Sequence, residues 1–190
     1  DVHVGDTVVV QGPGPVGLSA CFFARLAGAR RVIVIGAPRL RLQMALSLGA
    51  DEAVDLEEYP SPEARVGRIR QLTAGKGADV TIEASGVPGA VAEGMRMTRD
   101  AGTYVVVGQY TDNGPVEVNP HLDINRKHLD IRGCWGTEFT HLYRATDLLA
   151  TRGRGVPYEK AISRFYSLEE CQQAVLDVES LRVIKAVIKP

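Results

Sequence analysis

Short runs of apolar residues alternate along the chain with longer stretches in which apolar residues recur every third or fourth position. The short runs are rich in valine and isoleucine and predict buried strands, whereas the longer stretches predict amphipathic helices. This alternation is typical of a parallel α/β sheet, because the helices that connect parallel strands cover both faces of the sheet. The predicted strands are residues 7–11, 31–35, 53–56, 79–84, 102–107 and 129–135, and the predicted helices are residues 15–26, 42–48, 62–72, 88–99 and 140–152.

The pattern changes after the glycine-containing stretch Gly153-Arg154-Gly155. The region beyond it predicts a strand, a capped helix and a second strand, with the strands at residues 161–166 and 183–188. Ser167 and Glu170 have the spacing of a capping box. The apolar face of this helix is predicted to contain Cys171, Ala174, Val175 and Val178. We therefore predict a sheet-containing part, residues 1–155, and a C-terminal segment, residues 156–190.

The amino-acid composition excludes several classes of binding partner. The 22 Lys and Arg residues are balanced by 23 Asp and Glu residues, so no basic excess is present to neutralise nucleic-acid phosphates or a membrane surface. The longest apolar runs are far shorter than a membrane span, and the N-terminus lacks a signal-peptide pattern. Three widely spaced cysteines predict neither a disulfide framework nor a metal site, and they favour the reducing cytoplasm. The expected partner is a small molecule or a protein.

A glycine-rich motif lies between the first strand and the first helix. Gly12, Gly14 and Gly17 form the pattern GxGxxG. In a strand-turn-helix context this pattern predicts dinucleotide binding: the first glycine permits a tight turn, the second lets the backbone approach a pyrophosphate, and the third lets the helix pack on the strand. The alternative is a glycine turn that serves packing alone. Together with the alternating strands and helices, the motif predicts a doubly wound, six-stranded Rossmann fold.

The end of the second strand bears on the choice of cofactor. An acidic residue there binds the adenosine ribose hydroxyls in many NAD sites, but this chain has Gly36 at that position. The glycine leaves room for a 2′-phosphate, and Arg39 and Arg41 provide positive charge. This combination favours NADP over NAD, although an arginine on the first turn of a helix is also typical of a solvated surface.

Several blocks of this sequence together resemble one family, the medium-chain, zinc-type alcohol dehydrogenases. The resemblance covers essentially the whole chain and rests on five blocks: residues 5–18, Leu48-Gly49-Ala50-Asp51, Gly77-Ala78-Asp79-Val80, residues 102–108, and Ser167-Leu168-Glu169-Glu170 followed by Lys185-Ala186-Val187-Ile188. It implies an oxidoreductase that transfers hydride between an alcohol or carbonyl substrate and a nicotinamide dinucleotide.

The resemblance also implies which residues contact the cofactor. Those residues are Gly14, Pro15 and Val16 at the pyrophosphate, Ala84, Ser85 and Gly86 near the adenosine, Val107, Gly108 and Gln109 beside the nicotinamide, Gly133 to Trp135 at its carboxamide, and Lys185 at the phosphates. Two of these assignments have alternatives. Arg182 lies close to Lys185 in sequence and is able to take its role, and Trp135 is equally consistent with core packing.

The resemblance implies a catalytic zinc held by a separate GroES-like domain that precedes the nucleotide-binding domain. The four histidines of this chain are scattered, and none lies near a cysteine in a ligand pattern, so we expect zinc only in the complete enzyme. Residues 161–190 resemble the segment that returns to the catalytic domain. The favoured function is a zinc-dependent alcohol or polyol dehydrogenase. A zinc-free quinone or enoyl reductase and a nucleotide-binding module without catalysis are the alternatives.

The sixth strand is expected at the edge of the sheet, around residues 130–135. Family dimers often join two such edges into one continuous sheet, and an exposed edge needs covering in any case. The sequence therefore predicts a homodimer.

Overall fold

A computed structural model describes residues 2–190 and contains one six-stranded, fully parallel sheet. The strand order is β3-β2-β1-β4-β5-β6, so the chain winds outward in two directions from the β1/β4 pair, which confirms the doubly wound α/β prediction. The strands are β1 (Thr7–Gln11), β2 (Arg31–Gly36), β3 (Glu52–Asp55), β4 (Ala78–Glu83), β5 (Thr98–Val106) and β6 (Asp130–Gly133).

Five helices accompany this sheet, and local sequence signals explain where several of them begin. The helices are α1 (Pro15–Leu26), α2 (Arg39–Ser47), α3 (Pro62–Leu72), α4 (Pro88–Met97) and α5 (Phe139–Arg152). Three start with a proline, whose fixed φ suits the first helical position. Ser61 caps α3 by accepting a hydrogen bond from the Ala64 amide at 3.1 Å. A π-helical turn at Pro120–Asn125, which was not predicted, precedes β6.

The central strands are buried on both faces. Val8, Val9 and Val10 of β1 are completely inaccessible to solvent. Because successive side chains of a strand point to opposite faces, Val8 and Val10 join one apolar cluster and Val9 joins the other. This two-sided burial explains why the strands were recognised as uninterrupted apolar runs.

The C-terminal segment forms a second, two-stranded parallel sheet. It contains β7 (Ile162–Tyr166), α6 (Cys171–Glu179) and β8 (Lys185–Ile188), and a 3₁₀ turn at Tyr158–Ala161 precedes it. Ile184 joins the apolar cluster around α1 and α2, so this segment packs directly on the large sheet's helices.

Two predictions about α6 were wrong in detail. The Glu170 carboxylate accepts a hydrogen bond from the Ser167 amide at 2.9 Å, as in a capping box, but the helix begins only at Cys171. Of its four predicted core residues only Ala174 is buried, whereas Val175 and Val178 are exposed. A nine-residue helix against a two-stranded sheet has too little neighbouring surface to cover a wide apolar stripe.

The end of the large sheet also differs from expectation. The strand β6 is shorter than the predicted 129–135, and Trp135 lies beyond it. All four residues of β6 are exposed, and α5 has no buried residue although it was placed within the sheet-containing part. Within residues 2–190, Ala145, Leu148 and Leu149 of α5 are only partly buried, and its other apolar residues are exposed.

Candidate functional site

The glycine loop holds α1 unusually close to β1. A Cβ atom at Gly17 would lie 1.8 Å from the Gly12 carbonyl oxygen, and one at Gly12 would lie 2.7 Å from Ser85 Cα. Gly12 also has a φ of +98°, which side chains rarely adopt. A Cβ at Gly14, in contrast, would meet no atom within 4 Å. Two of the glycines therefore permit close packing, and the third leaves its backbone open to a ligand.

The N-terminus of α1 is suited to bind an anion. Gly14 is the N-cap residue, and no side chain caps this end of the helix. The first intrahelical hydrogen bond runs from the Leu18 amide to the Gly14 carbonyl at 2.8 Å. The preceding amides of the 12-residue helix point out of its end, where the helix dipole adds a positive potential.

A cavity of about 440 Å³ lies above the carboxyl ends of β1, β2 and β4. This place is the point at which the strand order reverses, where doubly wound sheets bind their ligands. The predicted site residues that line it are Gly12, Gly14, Gly36, Arg41, Ala84 and Ser85. The structure thus brings together three segments that are far apart in sequence.

The two predicted arginines have different environments. Arg39 is 70% exposed, and its Nη2 lies 3.2 Å from Glu58 Oε1 and its Nε 3.8 Å from Asp55 Oδ2, so two acidic groups offset its charge. Arg41 is only 9% exposed and lines the cavity. Its Nη2 donates a hydrogen bond to the Val183 carbonyl at 2.8 Å.

Within residues 2–190, no carboxylate pairs with the guanidinium of Arg41. Its Nε is buried and has no hydrogen-bond partner among the residues that the structure describes. Burial lowers the pKa of Arg41, but an arginine starts so high that it stays charged at neutral pH. An unpaired, buried cation at the wall of a cavity is costly unless an anionic or polar ligand joins it. Arg41, rather than Arg39, is the cation available to a ligand.

Gly36 has a packing role that the sequence did not indicate. A Cβ at this position would lie 2.1 Å from Pro13 Cδ, so the glycine loop fills the space that a side chain here would need. The predicted room for a 2′-phosphate stays a prediction. An aspartate at position 36 would displace Pro13. Gly36 is therefore required for the packing of β2 against the loop, whatever its effect on the cofactor.

A buried carboxylate joins the ends of β4 and β5. Glu83 Oε1 accepts hydrogen bonds from the Ser85 amide at 2.7 Å, the Ser85 hydroxyl at 2.8 Å and the Gly86 amide at 2.8 Å, and Oε2 accepts one from the Gly108 amide at 3.1 Å. A Cβ at Gly108 would lie 2.7 Å from this carboxylate. Glu83 thus fixes two of the loops that were predicted to contact the cofactor.

Sequence reasoning missed Glu83. The available signal was an acidic residue at the carboxyl end of a predicted buried strand, where no solvent is expected around a central strand of a parallel sheet.

The residues predicted beside the nicotinamide lie apart from this cavity. Gln109 and Trp135 line a second, shallower depression. Trp135 is 74% exposed and stacks on Tyr110 with ring centroids 4.4 Å apart, so the core-packing alternative for Trp135 was wrong. Its position beyond the short strand β6 explains the exposure, because no layer of the fold covers it.

Lys185 and Arg182, two basic residues near the C-terminus, have different surroundings. Lys185 is exposed in β8, in register with Ile162, and its predicted phosphate contact stays a prediction. Arg182 Nη1 lies 3.3 Å from Asp177 Oδ1, so the alternative residue already has an acidic partner.

The described residues contain neither a metal-ligand cluster nor a membrane-spanning helix. Within residues 2–190, no three His, Cys, Asp or Glu side chains are grouped so that they could hold a metal ion, and these residues do not fit a zinc site. In the same part of the chain, no helix has both the length and the apolar content of a membrane span.

Comparison with known proteins agrees with the fold and the glycine loop. Residues 15–151 match the family model described as zinc-binding dehydrogenase. The chain is 35% identical over 187 residues to 5-exo-hydroxycamphor dehydrogenase from Pseudomonas putida, an alignment that covers 98% of this chain and 51% of the relative.

Solved structures give the same result. An alcohol dehydrogenase from Thermotoga maritima superposes with a TM-score of 0.91 at 32% identity, over 100% of this chain and 51% of that one. A zinc-binding dehydrogenase from Sinorhizobium meliloti, solved with NADP, superposes with a TM-score of 0.86 at 31% identity, over 100% of this chain and 54% of that one. The chain thus spans about half the length of these relatives. With its doubly wound sheet, its glycine loop and a match that extends over most of its residues, the chain belongs to the zinc-binding dehydrogenase family.

Proposed function

We propose that this chain is the coenzyme-binding part of an NAD(P)-dependent dehydrogenase that acts on an alcohol or its carbonyl product. The observation that carries the proposal is the cavity at the reversal of strand order, with the open Gly14 backbone, the uncapped N-terminus of α1 and the unpaired cation of Arg41 around it. These features suit a ligand that combines phosphates with an apolar base.

We assign the parts of the cofactor to residues at the ends of successive strands. Gly12, Gly14, Pro15, Val16 and Gly17 bind the pyrophosphate through the backbone and helix end, and Lys185 adds a cation to it. The adenosine side consists of Gly36, Arg41, Ala84, Ser85 and Gly86, without the predicted Arg39, and the nicotinamide side consists of Val107, Gly108, Gln109, Gly133 and Trp135. The bound nicotinamide supplies the hydride acceptor or donor. The chain's own residues bind and orient it.

NADP is the slightly favoured cofactor in this proposal. No acidic side chain is present at position 36 to repel a 2′-phosphate, and Arg41 is a buried cation without a carboxylate partner among residues 2–190. The relative from Sinorhizobium meliloti was solved with NADP.

Titration of the chain with NADPH and NADH, followed by nucleotide fluorescence, tests this proposal. Arg41→Gln should weaken NADPH binding by about tenfold or more, because a charge-assisted hydrogen bond to a phosphate is worth about 1.5–3 kcal/mol. The matched change Arg39→Gln should alter binding by less than about twofold, because Arg39 is solvated and already paired.

The outcomes of the titration are distinct. Equal losses of NADPH and NADH binding in Arg41→Gln would place this residue at a group common to both cofactors and remove the argument for NADP. If the unmodified chain bound neither nucleotide, the coenzyme-binding proposal itself would fail.

We propose that the chemistry at the alcohol is carried out by a catalytic domain and not by the nucleotide-binding residues described above. We propose that residues 1–155 form the nucleotide-binding domain, that residues 156–190 also contact a GroES-like catalytic domain, and that the catalytic zinc is bound there. The alternative of a zinc-free reductase predicts no metal, and metal analysis of the full-length protein separates the two. The unpaired cysteines fit a cytoplasmic location, which cell fractionation would check.

We also propose a homodimer formed through the edge of the large sheet. The strand β6 has one unpaired side, and the nearby helix α5 exposes Phe139, Leu142 and Tyr143. Edge pairing would cover both features. The alternation of amide directions along a strand places the Ile131 amide on the unpaired side, because the Cys134 amide bonds to Val106 in β5.

Sedimentation should therefore show a dimer, and Ile131→Pro should shift it toward monomer because proline removes the outward-pointing donor. The melting temperature of the variant serves as the control for folding. A wild-type chain that sediments only as a monomer at high concentration would refute the dimer.

A further inference from the structure

A leucine occupies a backbone position that favours glycine at the wall of the cavity. Leu181 follows the last residues of α6 and has a φ of +60°. Its amide bonds to the Val178 carbonyl at 3.1 Å, and the next amide, of Arg182, bonds to the Asp177 carbonyl at 3.0 Å. These two bonds define a Schellman motif, in which glycine is strongly preferred at the position of Leu181 because it has no side chain to oppose the left-handed conformation.

The Leu181 side chain gains little from the protein core. It is 45% exposed, and it lines the same cavity as the glycine loop. A bulky residue in the left-handed region, without full burial to stabilise it, is uncommon, and such outliers concentrate at ligand sites. The folded chain on its own therefore gives no reason for a side chain at this position.

Other residues that line the cavity indicate which part of a ligand would meet Leu181. Leu56, Pro62 and Val87 provide apolar surface from the segments that follow β3 and β4. The glycine loop lies at the switch point, and Gln109 and Trp135, which are assigned to the nicotinamide side, line a different depression. The cavity beside Leu181 thus corresponds to the adenosine end of a dinucleotide, and a purine ring fits between apolar walls.

The turn that contains Leu181 also holds Arg41. The Val183 carbonyl accepts the Arg41 Nη2 hydrogen bond, and the neighbouring Ile184 is anchored in the core. The C-terminal segment therefore contributes one apolar wall and positions one cation at the same end of the cavity.

We propose that Leu181 is a cofactor-binding residue that packs against the adenosine of the bound nucleotide, and that its unfavourable backbone conformation is retained for this contact. The inference rests on the proposed coenzyme-binding function, and it assigns part of the adenosine site to the C-terminal segment.

The test compares two glycine variants in the same backbone motif. Ala74 follows α3 with a φ of +52°, its amide bonds to the Gln71 carbonyl at 3.4 Å, and the Gly75 amide bonds to the Arg70 carbonyl at 2.7 Å. It lies beside the amino ends of the strands, away from the cavity. Leu181→Gly and Ala74→Gly both relieve the backbone, so both should keep or raise the melting temperature.

Only Leu181→Gly should change binding. We expect AMP and NADPH to bind about fivefold more weakly to it, because part of an apolar contact is lost, and Ala74→Gly to bind both as the wild type does. Leu181→Met, which keeps apolar bulk, should restore most of the affinity.

Each contrary result is informative. Wild-type affinity in Leu181→Gly would overturn the inference while leaving the coenzyme-binding function intact. A lower melting temperature in Leu181→Gly would also overturn it, since the side chain would then be needed by the fold. Failure of the unmodified chain to bind AMP and NADPH would overturn both the inference and the function on which it rests.

Discussion

Replacing Gly17 with alanine should lower the free energy of unfolding by about 3 kcal/mol and weaken cofactor binding by about tenfold or more. The added methyl group would lie 1.8 Å from the Gly12 carbonyl oxygen, which is backbone and has no rotamer by which to escape. Helix α1 would have to move away from the loop, and its amide groups would no longer point at the position of the pyrophosphate. Urea denaturation and nucleotide titration measure the two effects.

Two other glycines provide matched controls for this prediction. Gly14→Ala places its methyl group in open space, so stability should hold while binding falls, because a ligand must approach that backbone. Gly67→Ala, in the middle of α3 with no atom within 4 Å, should be stabilising by about 1 kcal/mol and leave binding unchanged. A Gly17→Ala variant as stable as the wild type would show that the close approach of α1 to the loop is not maintained.

Replacing Glu83 should have the second large effect, and its size should depend on the substitute. Leucine leaves three donors without an acceptor, because the Gly108 amide also bonds to the Glu83 main-chain carbonyl at 2.9 Å, and it should cost about 3 kcal/mol or more of unfolding free energy. Glutamine can keep its oxygen at the position that accepts from Ser85 and Gly86 and lose only the Gly108 bond, so it should cost about 1–2 kcal/mol. Urea denaturation of both variants measures which substitution lowers the free energy of unfolding more.

Cofactor binding provides the second measurement for Glu83. Both variants should bind NADPH more weakly, in the same order as their stabilities, because the carboxylate holds the loops after β4 and β5 in place. Glu117→Gln, a change at an exposed loop residue, should leave both properties unchanged. Equal stability of Glu83→Leu and Glu83→Gln would contradict the hydrogen-bond network described above.

The part of the fold nearest the glycine loop was predictable from sequence because local signals agree there. Both β1 and α1 begin and end at the predicted residues, since a β-branched run, a proline at the first helical position and a glycine after the helix all mark the same boundaries. The strand β6 and helix α6 were less predictable. Their limits depend on what covers them, and short, exposed elements have weak apolar patterns.

The location of the candidate site was predictable from the glycine pattern. The burial and the contacts of its side chains were not. The glycine spacing located the loop, but Arg39 and Arg41 are indistinguishable in sequence, and only the structure shows that Arg41 is buried and bonds to the Val183 carbonyl of a distant segment. Gly36 was assigned to the cofactor from its position at the end of β2, and its close contact with Pro13 of the glycine loop is visible only in the structure. Leu181 carries no local motif that points to a ligand, and its φ angle is visible only in the structure.

The packing of the C-terminal segment has a practical consequence for protein engineering. Tyr158 packs on Phe22 and hydrogen-bonds to Ser19, Ile184 completes the apolar cluster around α1, and Val183 holds Arg41. A shortened chain that ended after residue 155 would expose the apolar cluster around α1, and Arg41 would lose its hydrogen bond to the Val183 carbonyl. The smallest transplantable unit of this protein therefore includes residues 156–190, even though they form a separate sheet.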